Sequence, residues 1–289
     1  MNPAQIGFFT ALAAITIVLA GAWVKAARLG PEPNRPTAGA AAVGCLTSFL
    51  DTLGIGSFAP TTALFKLFRM VPDELIPGTL NVGLAASGVA EATIFVKSIE
   101  IDPALLAATI TSAVLGAWLG AGVVSGLPRR AIQIGMGIAL LIAASVFTAV
   151  TLHLLPGGGD ALMLGGWRFA LAVGGCFVLG ALMTLGIGFY APCMIMLALM
   201  GMRPIAAFPI MMGSCALLQP TAGIRFLKTR RMAFSTSLSL TLGGLVGVAI
   251  AAPLVVRLSQ YLDVLRWLVI FVVTYAAFAM LRSAVRESR

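Results

Sequence analysis

The chain has 289 residues, of which 60% are hydrophobic and 10% are charged, and its formal net charge is +9. Soluble domains average about 25% charged residues, and so few charges could not cover the surface of a soluble globule of this length. The composition therefore excludes an ordinary soluble protein and predicts an all-α protein that crosses a membrane several times.

The positive charge requires no nucleic-acid partner, because the cytoplasmic loops of membrane proteins collect Lys and Arg. The sequence contains no basic run with interleaved aromatic residues, so nucleic-acid binding has no support. The four cysteines lie inside apolar stretches without a CxxC pair, and we interpret them as small packing residues. We expect no metal and no cofactor.

Residues 6–24 form an apolar run that is long enough to cross about 30 Å of hydrocarbon. Lys25 and Arg28 follow the run, whereas a cleaved signal would carry its basic residues in front. This order predicts a retained first helix with the amino terminus outside the cell. We assign residues 1–37 to this extra helix and its basic loop.

The rest of the chain contains an internal repeat. Leu-Gly-Ile-Gly occurs at 53–56 and again at 185–188, 132 positions later. The same shift aligns three prolines with three others in the same order, without a gap: Pro60, Pro72 and Pro77 with Pro192, Pro204 and Pro209. The register predicts two homologous halves, residues 38–151 and residues 167–282.

Each half begins with an apolar region that is too long for one crossing and is interrupted by glycines, at 38–70 and at 170–202. Glycines end a helix, and the prolines beyond them, Pro60 and Pro192, suit the first turn of the next helix. Broken backbone at membrane depth is tolerated only where protein or a water-filled cavity satisfies it. We interpret both regions as re-entrant helical hairpins with their tips near mid-membrane. The alternative is two full crossings joined by a tight external turn.

Three ordinary spans follow each hairpin. We place them at about 75–97, 104–126 and 130–151 in the first half, and at about 205–227, 234–256 and 262–282 in the second. With the carboxyl terminus in the cytoplasm, every strongly basic segment falls inside: 25–35, 129–130, 228–231 and 282–289. The loops around 97–102, 156–160 and 257–263 are then outside.

This arrangement gives each half three true crossings, so the second half is inserted upside down relative to the first. Inverted repeats with broken helices are typical of secondary transporters, which bind substrate at the midplane between the repeats. The half-helices that start after each break point their free N–H groups and the positive end of their dipoles at the tips, which favours an anion. The alternative role of the glycines is close helix packing.

Candidate substrate-binding residues lie at the tips and on the spans that follow them. They comprise Thr52, Gly54, Gly56, Ser57, Thr61, Asn81, Thr184, Gly186, Gly188, Tyr190, Cys193, Ser214 and Gln219. Two acids inside apolar segments, Asp51 and Glu91, are candidates for proton coupling, since ionisable residues at membrane depth are usually functional. Asp51 is equally suited to capping N–H groups at the tip.

The duplicated break resembles the sulfite exporter TauE/SafE (TSUP) family, whose halves each begin with a GxG-containing helix break followed by Pro. The matching residues are Gly54, Gly56 and Pro60 in the first half, and Gly186, Gly188 and Pro192 in the second. Ser57-Phe58 and Phe189-Tyr190 replace the later glycines of the family pattern. The resemblance covers about 38–282 and implies transport of sulfite, thiosulfate, sulfoacetate or a related small anion.

Two other functional classes are weighed against a carrier. An intramembrane enzyme is not expected, because the single histidine, His153, lies in an outer loop and no catalytic motif accompanies it. An anion channel is the alternative to a carrier, since helix N-termini at hairpin tips also suit a pore. We expect a multi-pass protein of the cell inner membrane whose partners are the membrane lipid and a small anionic substrate.

Overall fold

The computed structural model describes residues 3–29, 37–95, 101–154, 159–186, 188–254 and 262–286. Within these ranges the chain is almost entirely α-helical, and the one β-bridge there joins Ala161 to Met202. The predicted all-α class is therefore confirmed. Five residues of the segments that predict the topology lie outside the described residues: Arg35, Lys97, Glu100, Pro156 and Arg257. Ile187, at the second break, also lies outside them.

The first helix and the first half of the chain form seven helices. They are α1 (Pro3–Leu29), α2 (Ala38–Thr52), α3 (Phe58–Phe68), α4 (Ile76–Gly83), α5 (Ala85–Phe95), α6 (Pro103–Val124) and α7 (Arg129–Thr151). A 3₁₀ turn at Asp73–Leu75 leads into α4. The start of α6 follows the usual rules, since Asp102 accepts a hydrogen bond from the Leu105 N–H at 2.9 Å and Pro103 lies in the first turn.

The second half forms five helices in the described residues. They are α8 (Gly166–Met183), α9 (Tyr190–Leu199), α10 (Pro204–Thr229), α11 (Phe234–Ala251) and α12 (Leu262–Arg286). A short 3₁₀ turn, Ala252–Leu254, follows α11. The order of long and short helices matches that of the first half, except that α10 is continuous where the first half has α4 and α5.

Seven helices of the described residues are long and apolar enough to cross a membrane: Ile6–Arg28, Pro103–Val124, Arg129–Thr151, Gly166–Met183, Ala206–Thr229, Phe234–Leu254 and Trp267–Arg286. Six of these coincide with predicted spans. The seventh, Gly166–Met183, belongs to the region predicted as a hairpin. The protein is therefore membrane-embedded, as the composition predicts.

The helices beside the two breaks are short. α3 has 11 residues and α9 has 10. At 1.5 Å per residue they extend roughly 15–17 Å, about half of the hydrocarbon thickness. Neither helix can cross the bilayer by itself, whereas α8, with 18 residues, has sufficient length.

The span predicted at 75–97 differs from the structure. It is divided into α4 and α5 by a bend at Leu84, whose φ of −92° and ψ of −2° are right-handed but depart from the regular α-helix. A Cβ on the preceding Gly83 would lie 2.8 Å from the Leu240 side chain of α11. The close approach of α11 at this glycine accounts for the bend, a tertiary cause that the sequence does not display.

α10 lies at the centre of the molecule, and most of it is buried, whereas α1 is mostly exposed. Around α10, helices of the two halves pack in reciprocal pairs. α2 of the first half contacts α11 of the second, and α8 of the second half contacts α6 of the first. α7 contacts α12, and α10 contacts α4, α5 and α6.

Candidate functional site

The first helix break lies between α2 and α3. The chain turns through Gly54 and Gly56, whose φ values of 85° and 95° are in the left-handed region that glycine adopts without strain. Asp51 and Ser57 join the two helix ends, since the Ser57 hydroxyl donates to Asp51 Oδ2 at 2.5 Å. Both side chains are buried, and Asp51 Oδ1 has no hydrogen-bond partner among the described residues.

The second break lies between α8 and α9. Gly186 has a φ of 94°, in the same left-handed region as that of Gly54. A Cβ on Gly186 would lie 3.3 Å from the Thr62 hydroxyl of α3, while a Cβ on Gly188 would meet no atom within 4 Å. The tip of the second half therefore contacts the short helix of the first.

The two breaks, 132 positions apart in the sequence, meet at one small cavity of about 10 Å³. Its lining comes from both tips, from the first turns of α3 and α9 and from α7: Ile55, Gly56, Ala59, Pro60, Ala143, Gly188, Tyr190 and Pro192. The volume is that of about one water molecule. Of the predicted site residues, Gly56, Gly188 and Tyr190 line this cavity directly.

Glu91 of α5 connects the two breaks. Its Oε1 lies 3.1 Å from the Thr52 hydroxyl at the end of α2, and its Oε2 accepts a hydrogen bond from the Tyr190 hydroxyl of α9 at 3.2 Å. The glutamate is fully buried. The structure thus joins Thr52, Glu91 and Tyr190, which the sequence offered only as separate candidates.

Other predicted hydroxyls bond within their own half. Thr61 lies 2.8 Å from both the Ser57 carbonyl and the Thr47 hydroxyl, and Thr184 donates to the Ala181 carbonyl at 2.6 Å. Cys193 and Cys176 of α8 are both buried free thiols. The Thr61–Thr47 contact joins α3 to α2, and none of the predicted residues Thr61, Thr184 and Cys193 lines the cavity.

Asn81, Ser214 and Gln219 are buried on the helices that follow the breaks. Asn81 donates to the Pro77 carbonyl at 2.9 Å, and Gln219 Oε1 faces Gly88, where a Cβ would lie 3.0 Å away. One oxygen of each of these three residues lacks a partner among the described residues. They belong to a buried polar core between α4, α5 and α10, and they do not line the cavity at the tips.

Thr62 is a further hydroxyl of the first break, and the sequence offers it as a possible donor at the tip together with Ser57 and Thr61. Its side chain is fully buried, its hydroxyl has no partner among the described residues, and it faces Gly186 of the other half. Its position one turn into α3 was visible in the sequence, but its contact with the second break depends on how the halves pack.

The described residues contain no group of three or more His, Cys, Asp or Glu that could hold a metal ion. The arrangement instead combines two helix starts at a small cavity with two buried carboxyl groups, of which Glu91 bonds the cavity residue Tyr190 and Asp51 bonds Ser57 at the first break. No family model matches the chain, and no curated protein or solved structure is significantly similar to it.

Proposed function

We propose that the protein is a secondary transporter of small anions that works by alternating access around the cavity between the two helix breaks. The observation that carries this proposal is that two glycine breaks from distant parts of the chain line one cavity. Broken helices that meet at a central site are the usual construction of secondary carriers. The proposal assigns no catalytic role to any residue.

The reciprocal packing supports two homologous halves. A Cβ on Gly247 of α11 would collide with the Cys45 carbonyl of α2, and a Cβ on Gly116 of α6 would collide with the Phe177 carbonyl of α8. Cys45 and Phe177 are 132 positions apart, the same shift that aligns the two breaks, and the two glycines, Gly116 and Gly247, are 131 positions apart. An equivalent contact in each half is what a pseudo-two-fold relation requires.

The short helices support the re-entrant hairpins. α3 and α9 are each about half as long as the hydrocarbon is thick, and both begin at the shared cavity. Under this proposal the cavity lies near mid-membrane, and the two hairpins enter from opposite faces. The second half is then inverted relative to the first.

The helix starts support an anionic substrate. The first turns of α3 and α9 contribute Ala59, Pro60, Tyr190 and Pro192 to the cavity wall, so the positive dipole ends of both helices lie at the cavity. Together with the resemblance to the TauE/SafE family, this favours sulfite, thiosulfate, sulfoacetate or a related organosulfonate. The protein then belongs in the cell inner membrane.

The two carboxyl groups support proton coupling, because a charged Asp51 or Glu91 would repel an anion beside them. The Thr52 hydroxyl lies 2.8 Å from the Ser48 carbonyl and 3.1 Å from Glu91 Oε1, yet it has only one proton to donate. If Glu91 carries a proton on Oε1, Glu91 donates to the Thr52 hydroxyl oxygen while the Thr52 hydroxyl donates to the Ser48 carbonyl. Both contacts are then hydrogen bonds. We therefore propose that Glu91 is protonated when the anion binds.

The small cavity favours a carrier over a channel. About 10 Å³ holds no more than a water molecule, so the substrate enters only after the tips separate. An occluded state of this kind belongs to the alternating-access cycle, whereas a conducting channel needs a continuous pore.

Reconstituted vesicles test the proposal. Uptake of sulfite, thiosulfate, sulfate, sulfoacetate and isethionate is measured with and without a pH gradient, with protein-free vesicles as the control. We expect saturable uptake of at least one sulfur anion, counterflow, and acceleration by the gradient. Unsaturable current would show a channel, and no flux of any of the five anions would contradict the proposed substrate class.

A further inference from the structure

A second, larger cavity of about 910 Å³ lies away from the helix breaks. It is formed by the end of α3, the turn at Asp73–Leu75, the start of α7 and the last turns of α12. We call it the basic pocket, because it is lined by five basic side chains and only two acids. It lies on the side that the charge distribution predicts to be cytoplasmic.

The two acids of the basic pocket already have partners. Asp73 is buried, with Oδ2 accepting from Lys66 Nζ at 2.6 Å and from Gln133 Nε2 at 2.7 Å. Glu74 Oε2 lies 3.4 Å from Arg129 Nε. These contacts use Lys66 and Arg129 and leave the remaining basic residues of the pocket without a neutralising acid.

Those residues are Arg69, Arg282 and Arg286. All three are exposed, and none forms an ion pair with another described residue. They come from two elements, since Arg69 follows α3 and the other two lie at the end of α12. Three guanidinium groups at one opening constitute a site for an anion with several oxygens, such as a phosphodiester.

The wall of the same pocket is apolar on the membrane side. Tyr275 and Phe278 of α12 are 54% and 61% exposed, and Leu67 of α3 is 42% exposed. Tyr275, Phe278 and Arg282 are three and four residues apart and therefore lie on one face of α12. Along this face the side chains are aromatic first and basic towards the carboxyl end of the helix. Exposed apolar side chains on a membrane-spanning helix face lipid chains, and basic pockets at the membrane surface bind anionic headgroups.

We propose that the basic pocket binds one anionic phospholipid of the surrounding bilayer. Arg69, Arg282 and Arg286 hold the phosphodiester, and the acyl chains lie along Tyr275 and Phe278. The bound lipid joins the end of α3 to the end of α12. This site depends only on the protein being membrane-embedded and is independent of the transported substrate.

The test uses the full-length protein in an uncharged detergent, with phosphatidylglycerol and phosphatidylcholine of the same acyl chains as probes. Lipid retention is measured by native mass spectrometry and the unfolding midpoint by a thermal scan. We expect tighter binding of phosphatidylglycerol and a rise in the midpoint. The R69Q/R282Q/R286Q variant should lose this preference by about fivefold for each cation removed.

Arg130→Gln is the matched control, because Arg130 is an exposed cation next to Arg129 that does not line the basic pocket. The single variant Arg286→Gln provides the same comparison if the triple variant does not fold. Equal binding of the two lipids, or equal losses in R286Q and R130Q, would overturn the proposal. Displacement of the lipid effect by millimolar inorganic phosphate would also overturn it, because the pocket would then be a site for soluble anions.

Discussion

Glu91 and Tyr190 lie 99 positions apart, and the hydrogen bond between them joins α5 to the start of α9. Thr52 contacts the other carboxyl oxygen of the same glutamate. A single side chain therefore connects both helix breaks. Any separation of the tips that admits a substrate must alter at least one of these contacts. Under the proposed function, we therefore expect Glu91 to be the residue that links a proton to the opening of the site.

The variant Glu91→Gln tests this link. An amide keeps the size of the side chain and its contacts with Thr52 and Tyr190, but it cannot exchange a proton. We expect folded protein whose uptake with a pH gradient falls to the level without one. Asp160→Asn is the control, because the Asp160 side chain is 98% exposed and lies far from the breaks in sequence. Unchanged acceleration by the gradient in E91Q would show that the proton is carried elsewhere.

Gly186 and Gly174 form a matched pair for testing the second break. Gly186→Ala places a Cβ on backbone with φ 94° and within 3.3 Å of the Thr62 hydroxyl, whereas Gly174→Ala meets no atom within 4 Å in the middle of α8. We expect G186A to lose about 1–2 kcal/mol of stability and at least tenfold in uptake, and G174A to keep the uptake of the unmodified protein. Thermal unfolding and vesicle uptake measure the two effects. Equal behaviour of both variants would remove the second break from the site.

At the scale of helices, glycines set the distance between the reciprocal pairs. Gly116 and Gly247 allow α6 and α11 to contact the carbonyl groups of α8 and α2, where no larger residue fits. Without a hydrophobic driving force between helices in lipid, such close backbone contacts provide much of the packing energy. The glycines of α6 and α11 are therefore structural, while those of the breaks shape the site.

Gly116→Ala and Gly247→Ala should destabilise the protein by similar amounts, about 1–3 kcal/mol each, because both methyl groups would overlap backbone atoms. Gly174→Ala in α8 is the control, since no atom lies within 4 Å of its Cβ position, and alanine favours a helix by up to about 1 kcal/mol. Unfolding midpoints in detergent give the comparison. A large loss of stability in one of G116A and G247A and none in the other would contradict the equivalence of the α6–α8 and α11–α2 contacts.

The helix breaks were predictable from the sequence, because Gly54, Gly186 and the prolines after them act on their own backbone. The division at Leu84 was not, because it arises where α11 approaches Gly83. The contact of Glu91 with Tyr190 was equally hidden, since two polar residues on different helices carry no mark of their pairing. Local chemistry thus predicted where the helices end, and the packing of the halves decided which candidates meet.

At the scale of the whole molecule, the charged groups separate into different regions. The basic pocket gathers the ends of α3 and α12 with the start of α7, and Arg203 pairs with Asp160 in a loop predicted to be outside, at 3.6 Å. Basic residues on one side of a membrane protein mark its cytoplasmic face. Three of the residues that predict the orientation, Arg129, Arg282 and Arg286, thus lie in one pocket with Lys66 and Arg69.

Cysteine labelling of intact cells tests the proposed orientation. In a background without the four native cysteines, we expect Asp160→Cys, whose native side chain is 98% exposed, to react with an impermeant maleimide. Arg286→Cys, at the exposed end of α12, should react only after permeabilisation, because this end of the helix is predicted to be cytoplasmic. Labelling of R286C in intact cells without labelling of D160C would reverse the proposed orientation.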